Sequence, residues 1–202
     1  MATVAALLLA AGESTRMGRS KPLLPWLEDM SLVSFQVRAL AEAGFAPIVV
    51  VLGHEAERVR PAVPGLSGVT IVEHSDYLQG RATSVVHGLK SLPPGIDAVT
   101  VLNVDSPRSA VMLRRLREAF EVSGPLLAVL AHQGEEGHPW LFSSDLLPEL
   151  FAISEEHKGL REVEARHESE RLLVEAGSAI ALTNINTYAE YGKALRLAGS
   201  LL

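Results

Sequence analysis

Runs of four to six almost wholly apolar residues recur along the chain, at 4–9, 48–52, 69–72, 98–102 and 126–130. They are too short for helices and show no polar alternation, so they read as strands buried on both faces. Amphipathic stretches separate them. Residues 31–43 end at Gly44, a helix C-cap; residues 82–91 stop before Pro93-Pro94; Ser109 is placed to N-cap a helix reaching Val122, ahead of Gly124-Pro125. Strand and helix in alternation predict a single α/β domain over residues 1–202, a three-layer α/β/α sandwich on a mostly parallel, mixed sheet. In such sheets ligands sit outside the carboxyl ends of the strands, which directs attention to the loops that leave them.

The second half is less regular. Residues 133–137 read as a turn, 140–142 as a short strand and 145–153 as a helix. Residues 154–171 carry many charges of both signs around Gly159, which fits a solvated helix or a flexible loop. A last strand is expected at 179–182 and a closing helix at 188–198.

Charge and composition narrow the function. Against 18 Lys and Arg stand 24 Asp and Glu, a formal charge of -6, so no broad basic face exists to bind nucleic acid or an anionic membrane by charge alone. The apolar run 4–11 is too short to span a bilayer and lacks the positive leader of a secretory signal. With no cysteine there can be no disulfide, thiolate nucleophile or Cys-ligated metal, which is compatible with a cytoplasmic protein.

The segment Leu9-Ala10-Ala11-Gly12-Glu13-Ser14-Thr15-Arg16-Met17-Gly18-Arg19-Ser20-Lys21-Pro22-Leu23-Leu24-Pro25 leaves the first strand with glycine, hydroxyls and three cations in one loop. Glycine lets backbone N–H groups approach a phosphate, and Arg16 and Lys21 can neutralise charge during phosphoryl transfer. No GxGxxG follows the strand, and neither Gly12 nor Gly18 precedes the Lys-Ser/Thr pair of a Walker loop. Asp105, after the run 98–102, faces the same crevice and suits a Mg²⁺ ligand better than the alternative of a cap on the next helix.

Histidines form no recognisable metal site: Gly53-His54-Glu55-Ala56-Glu57 lacks the second His of HExxH, and His157 and His167 do not share a helical face. No GxSxG elbow supports a serine hydrolase. Ser84 reads either as a polar contact to a nucleotide or as an ordinary N-cap.

The string Leu-Ala-Ala-Gly, Ser, Arg-Met-Gly, Lys-x-Leu-Leu-Pro resembles the signature of the molybdenum-cofactor nucleotidyltransferases, and most that of the cytidylyltransferase branch. Further pieces follow in the family's order: Val51-Leu52-Gly53-His54; Gly80 with Thr83-Ser84 and Gly88; Asp105 with Pro107; Gly137-His138-Pro139; Lys158-Gly159-Leu160-Arg161; Asn184-Ile185-Asn186-Thr187. Three features depart from the branch. Ser106 stands where the family commonly has Gln, Glu156-His157 stands where it has Gly-Asp, and the Asn-Ile-Asn ending is closer to that of the guanylyltransferases, whereas Ala11 replaces the second glycine typical of them.

The resemblance implies a Rossmann-like nucleotidyltransferase fold and transfer of CMP from CTP to the phosphate of molybdopterin, with Mg²⁺ as cofactor, pyrophosphate as leaving group and a molybdenum hydroxylase as client. It implies catalytic Arg16, Lys21 and Asp105, Mg²⁺ on Asp105 and Asn184, and a nucleotide and acceptor set of Leu9, Ala10, Ala11, Gly12, Gly80, Ser84 and His138. Arg16 would grip the β- and γ-phosphates, Lys21 the α-phosphate, and His138 would shape the acceptor pocket. The other readings are a transferase using GTP or a sugar or polyol phosphate, and a nucleotide-binding or cofactor-delivery protein without activity.

Overall fold

The computed structural model describes residues 2–199. Its strands are β1 (Val4–Ala10), β2 (Ile48–Leu52), β3 (Val69–Glu73), β4 (Ala98–Asn103), β5 (Leu127–His132), β6 (Glu135–Ser143) and β7 (Arg171–Glu175). Its helices are α1 (Leu32–Glu42), α2 (Ala56–Val59), α3 (Arg81–Leu89), α4 (Ala110–Ser123), α5 (Leu147–Ala152), α6 (Leu160–Arg166) and α7 (Tyr188–Gly199). The helix ends follow local chemistry. The Ser31 and Ser109 hydroxyls accept the N–H groups of Ser34 and Met112, and Gly124 turns left-handed at φ 53° to close α4.

The seven strands lie in the order β3-β2-β1-β4-β6-β5-β7. Only β6 runs against the others, so the sheet is mostly parallel and mixed, as expected. Along β1 the side chains of Val4, Ala6, Leu8 and Ala10 enter one core layer, with α1 and α4, while Ala5, Leu7 and Leu9 enter the other, with α3 and α5. Both faces of β1 are therefore dry, and each fully buried leucine contributes roughly 1.5–3 kcal/mol. That is the three-layer sandwich. Successive strands run one way from β1 to β3 and then return to the other side of β1 at β4, so the crevice at the carboxyl ends of β1 and β4 is the topological switch point.

The second half corrects the sequence reading in two places. The apolar stretch Ala179–Leu182 is a 3-10 helix, not a strand, with the Ser178 hydroxyl accepting the Ile180 N–H. It lies against β6 so tightly that a Cβ on Gly137 would stand 2.2 Å from the Ala181 carbonyl oxygen. The sheet instead ends in β7, parallel to β5, within the Arg171-Leu-Leu-Val-Glu175 segment. The expected turn at 133–137 shrinks to Gln133 and Gly134, both at positive φ as a tight hairpin requires, and β6 begins at Glu135. The charged stretch 154–171 contains α6 and the 3-10 turn Glu168–Glu170. Among the described residues no helix is long and apolar enough to cross a membrane.

Candidate active site

A cavity of about 370 Å³ opens at the switch point. The end of β1 supplies Leu9, Ala11 and Gly12, the following loop Ser14 and Lys21, the first turns of α3 Arg81 and Ser84, and the end of β4 Asn103 and Asp105. A larger cavity of about 680 Å³, walled by Trp26, Phe35 and Met112, holds none of these groups.

The loop after β1 is set by its own short-range bonds. Ser14 is left-handed at φ 57°, and its hydroxyl accepts the Lys21 N–H at 3.0 Å, which folds the loop back on itself. Met17 is buried under it as an anchor, and the His54 N–H donates to the Ala11 carbonyl oxygen at 3.0 Å, fixing the strand end from the β2 side. Gly12 is exposed and has nothing within 4 Å of the place a Cβ would occupy, so its backbone is open to a ligand.

Lys21 points back into the crevice. Its ammonium donates to Asp105 Oδ2 at 2.8 Å and to Asn186 Oδ1 at 3.1 Å, with the lysine side chain 13% and the aspartate 24% exposed. Asp105 is not a helix cap; Ser109 caps α4 instead. The fully buried Gln36 of α1 donates to the carbonyl oxygens of Asn103 and Val104, at 3.1 and 2.7 Å, and so sets the path of the chain into Asp105.

Asn184 is brought to the same place. The Ile185 N–H donates to the Asp105 carbonyl oxygen at 2.7 Å, and the buried Ser106 hydroxyl donates to Asn184 Oδ1 at 2.5 Å while standing 3.4 Å from Asp105 Oδ1. One hydroxyl thus reaches both oxygens expected to hold a cation. A carboxylate and an amide oxygen are the hard donors that Mg²⁺ takes, with waters and substrate phosphates filling the rest of its shell. Among the described residues no three His, Asp or Glu side chains gather into an all-protein metal cage.

The remaining expected residues divide. Leu9, Ala11, Gly12 and Ser84 line the cavity, and Ser84 lies inside α3, past its N-cap Gly80, so ordinary capping does not explain it. Ala10 turns its side chain into the core and can offer only backbone. Arg16 is exposed on the turn Thr15–Met17 and does not line the cavity. Gly80 lies outside it as well: at φ 111° a Cβ would stand 2.2 Å from the Glu155 side chain, whose carboxylate accepts the Ala82 N–H. His138 sits on β6 behind the site, and its carbonyl oxygen accepts from Arg108. Burial, reinforced by Arg108 and Arg81, pushes its imidazole down to about 4, so it is neutral at pH 7.

Arg108, like Gln36, is a residue that sequence reasoning missed. It is fully buried, and its guanidinium donates to the carbonyl oxygens of Pro107, His138, Ala181 and Thr183 at 2.6 to 3.2 Å. Burial drives its pKa down to about 9, with Asp105 pulling it back, so at pH 7 it remains cationic. It ties the segment after Asp105 to β6 and to the segment carrying Asn184. An arginine near an apolar run gives no sign of four carbonyl partners; only the preceding Pro107 hinted at a special turn.

The model for the MobA-like NTP transferase domain matches residues 6–171, and the chain belongs to that family. The chain is 29% identical over 149 residues to the molybdenum cofactor cytidylyltransferase of Escherichia coli strain K12, covering 73% of each. It is 35% identical over 138 residues to the bifunctional IPC transferase and DIPP synthase of Rubrobacter xylanophilus, spanning 65% of this chain and 31% of that longer protein. In fold it is similar to a nucleotidyl transferase from Methanothermobacter thermautotroptrophicus, at 24% identity and a TM-score of 0.82 over 99% of both chains. The chain is thus a nucleotidyltransferase by family and by fold.

Proposed function

We propose that the chain transfers CMP from CTP to the phosphate of a molybdopterin-type acceptor and releases pyrophosphate. The observation that carries the reading is the convergence of Lys21, Asp105 and Asn184 beside the open Gly12 backbone at the switch point. The similarity to a molybdenum cofactor cytidylyltransferase over 73% of both chains directs the choice of nucleotide and acceptor.

An acceptor phosphate oxygen attacks the α-phosphorus, the bond from that phosphorus to the bridging oxygen of the β-phosphate breaks, and pyrophosphate carries away the electron pair. The attacking group is already an anion, so no general base is needed. The work left to the protein is alignment and neutralisation of charge. Gly12 and neighbouring amides hold the phosphate chain. Lys21 exchanges its carboxylate for the α-phosphate, Arg16 reaches the outer phosphates from the solvent side of its turn, and Ser84 contacts the base or ribose. Asp105 and Asn184 would hold Mg²⁺, which when bound would screen the negative phosphates from one another. Arg108 and Gln36 position these groups from behind.

The ending Asn184-Ile185-Asn186, with Asn186 on the Lys21 ammonium, favours a second reading in which GTP is the donor. Thermal stabilisation by CTP, GTP, ATP and UTP, each with Mg²⁺ and with chelator, separates the two, because a ligand that binds only the folded chain raises its melting point by mass action. A Mg²⁺-dependent shift for CTP alone supports the first reading, a GTP preference the second, and no shift with any nucleotide contradicts both.

A further inference from the structure

A second cavity, of about 290 Å³, lies beside the first between the start of α3 and residues 155–161, and Arg81 lines both. Arg81, Lys158, Arg161 and the single carboxylate Glu155 supply its charged lining. Among the described residues the charged side-chain groups of these three make no hydrogen bond and no ion pair, whereas Lys21, Arg60, Arg117, Arg166 and Arg171 each hold a carboxylate.

Burial lowers the Arg81 guanidinium from its ordinary pKa and Arg161 adds to this, while Glu164, Asp105 and Glu155 pull it back. Arg81 is therefore in the field of Asp105 on one side and of Arg161 on the other, and the two cavities share one electrostatic environment. Lys158 reaches its place from a left-handed backbone, φ 64°, in a turn closed by the N–H groups of Lys158 and Gly159 on the carbonyl oxygens of Glu155 and Ser154. A lysine holds that conformation only where the surrounding structure imposes it. The rim already carries one anion of the chain's own, since the Glu155 carboxylate takes the Ala82 N–H at the first turn of α3. Glu164, drawn to both Arg81 and Arg161, supplies a second carboxylate beside the cavity, so three cations face two carboxylates, and an external anion balances the remaining positive charge.

We propose that this cavity binds an anionic group of the acceptor remote from the reacting phosphate, so that the acceptor is a phosphomonoester with a second anionic end. Arg81, at the junction, faces both ends. What the acceptor does rests on the nucleotidyltransfer reading; where its second charge sits rests on the cation set alone.

The test uses orthophosphate as probe, titrated in thermal melts with CTP and Mg²⁺ present, on the wild type and on the double variant Lys158→Asn/Arg161→Gln. Asn tolerates the left-handed position of Lys158. The double variant should weaken the apparent orthophosphate affinity by about tenfold or more through loss of two charge-assisted contacts, and Arg161→Lys alone, which keeps the charge, by no more than about threefold. If the double variant does not fold, Arg161→Gln set against Arg161→Lys decides the same point. Equal orthophosphate responses in wild type and charge-removing variants, or none in the wild type, would overturn the proposal. Failure of CTP to stabilise the wild type would instead remove the nucleotidyltransfer reading, and the orthophosphate difference would still decide the cavity.

Discussion

The Lys21 ammonium and the Asp105 carboxylate neutralise each other across 2.8 Å. The two are 84 residues apart in sequence and come from the segments that follow β1 and β4, the strands that flank the switch point. On the proposed reading each occupies the atom its partner would use on a substrate, and nucleotide binding would exchange the ion pair for a lysine–phosphate contact and a carboxylate–cation contact. The pair holds the crevice ready without leaving a bare charge in it.

Lys21→Ala should lower turnover by about tenfold or more, equivalent to about 1.4 kcal/mol of transition-state stabilisation. Steady-state pyrophosphate release measures this, with circular dichroism to verify that the fold is kept. Unchanged turnover would remove Lys21 from the mechanism.

Asp105→Asn tests the cation. Wild-type stabilisation by CTP should be larger with Mg²⁺ than with chelator, and the variant should lose most of that difference, because a neutral amide binds a hard cation far more weakly than a carboxylate does. A variant whose response to Mg²⁺ equals the wild type's would exclude Asp105 as a ligand.

Arg108→Met leaves four carbonyl oxygens without their donor, those of Pro107 and Ala181 in fully buried bonds. Stability in urea should fall by about 3 kcal/mol, and Arg108→Lys should recover only part of it because an ammonium cannot span all four. A loss below about 0.5 kcal/mol for Arg108→Met would contradict the bracing role.

The folded pKa of His138, about 4, lies below the ordinary 6.5, so between those values the folded chain binds fewer protons than the unfolded one. Its contribution to stability is therefore present above about pH 6.5 and is lost as the pH falls toward about 4. His167, raised by its hydrogen bonds to Glu170 and Glu149, acts with the opposite sign, losing its contribution as the pH rises. Denaturation of wild type and His138→Gln from pH 7 to pH 4 isolates His138. The variant should lose less stability over that range, by up to about 2 kcal/mol. Parallel curves would contradict the shift.

The inner parallel strands were legible because burial on both faces leaves an almost unbroken apolar run, as in β1, β2 and β5, whereas the inner antiparallel strand β6 opens on the exposed Glu135 and Glu136. The edge strand β7 was not, since one flank meets solvent and its residues are half exposed, Leu173 at 43%. Conversely, Ala179–Leu182 carries a strand's composition yet forms a 3-10 helix under β6, because a short apolar run does not declare its period. At the site, Gly12, Lys21, Asp105 and Asn184 were legible from the string of motifs. Gln36 and Arg108 were not, because all their partners except the Pro107 carbonyl are backbone carbonyls some 30 to 75 residues away, which no local pattern encodes. Arg81 was equally silent, as its meaning depends on Arg161 arriving from another helix.

The central claim is nucleotidyl transfer onto a phosphate, and the fate of the α-phosphorus tests it most directly. The purified protein is incubated with Mg²⁺, molybdopterin and CTP labelled at the α-phosphorus, and label and pyrophosphate are followed together. Label should enter a dinucleotide in step with pyrophosphate, and Lys21→Ala should suppress both. Release of CDP and orthophosphate, or label remaining in CTP with every nucleotide and phosphate acceptor tried, would contradict the account.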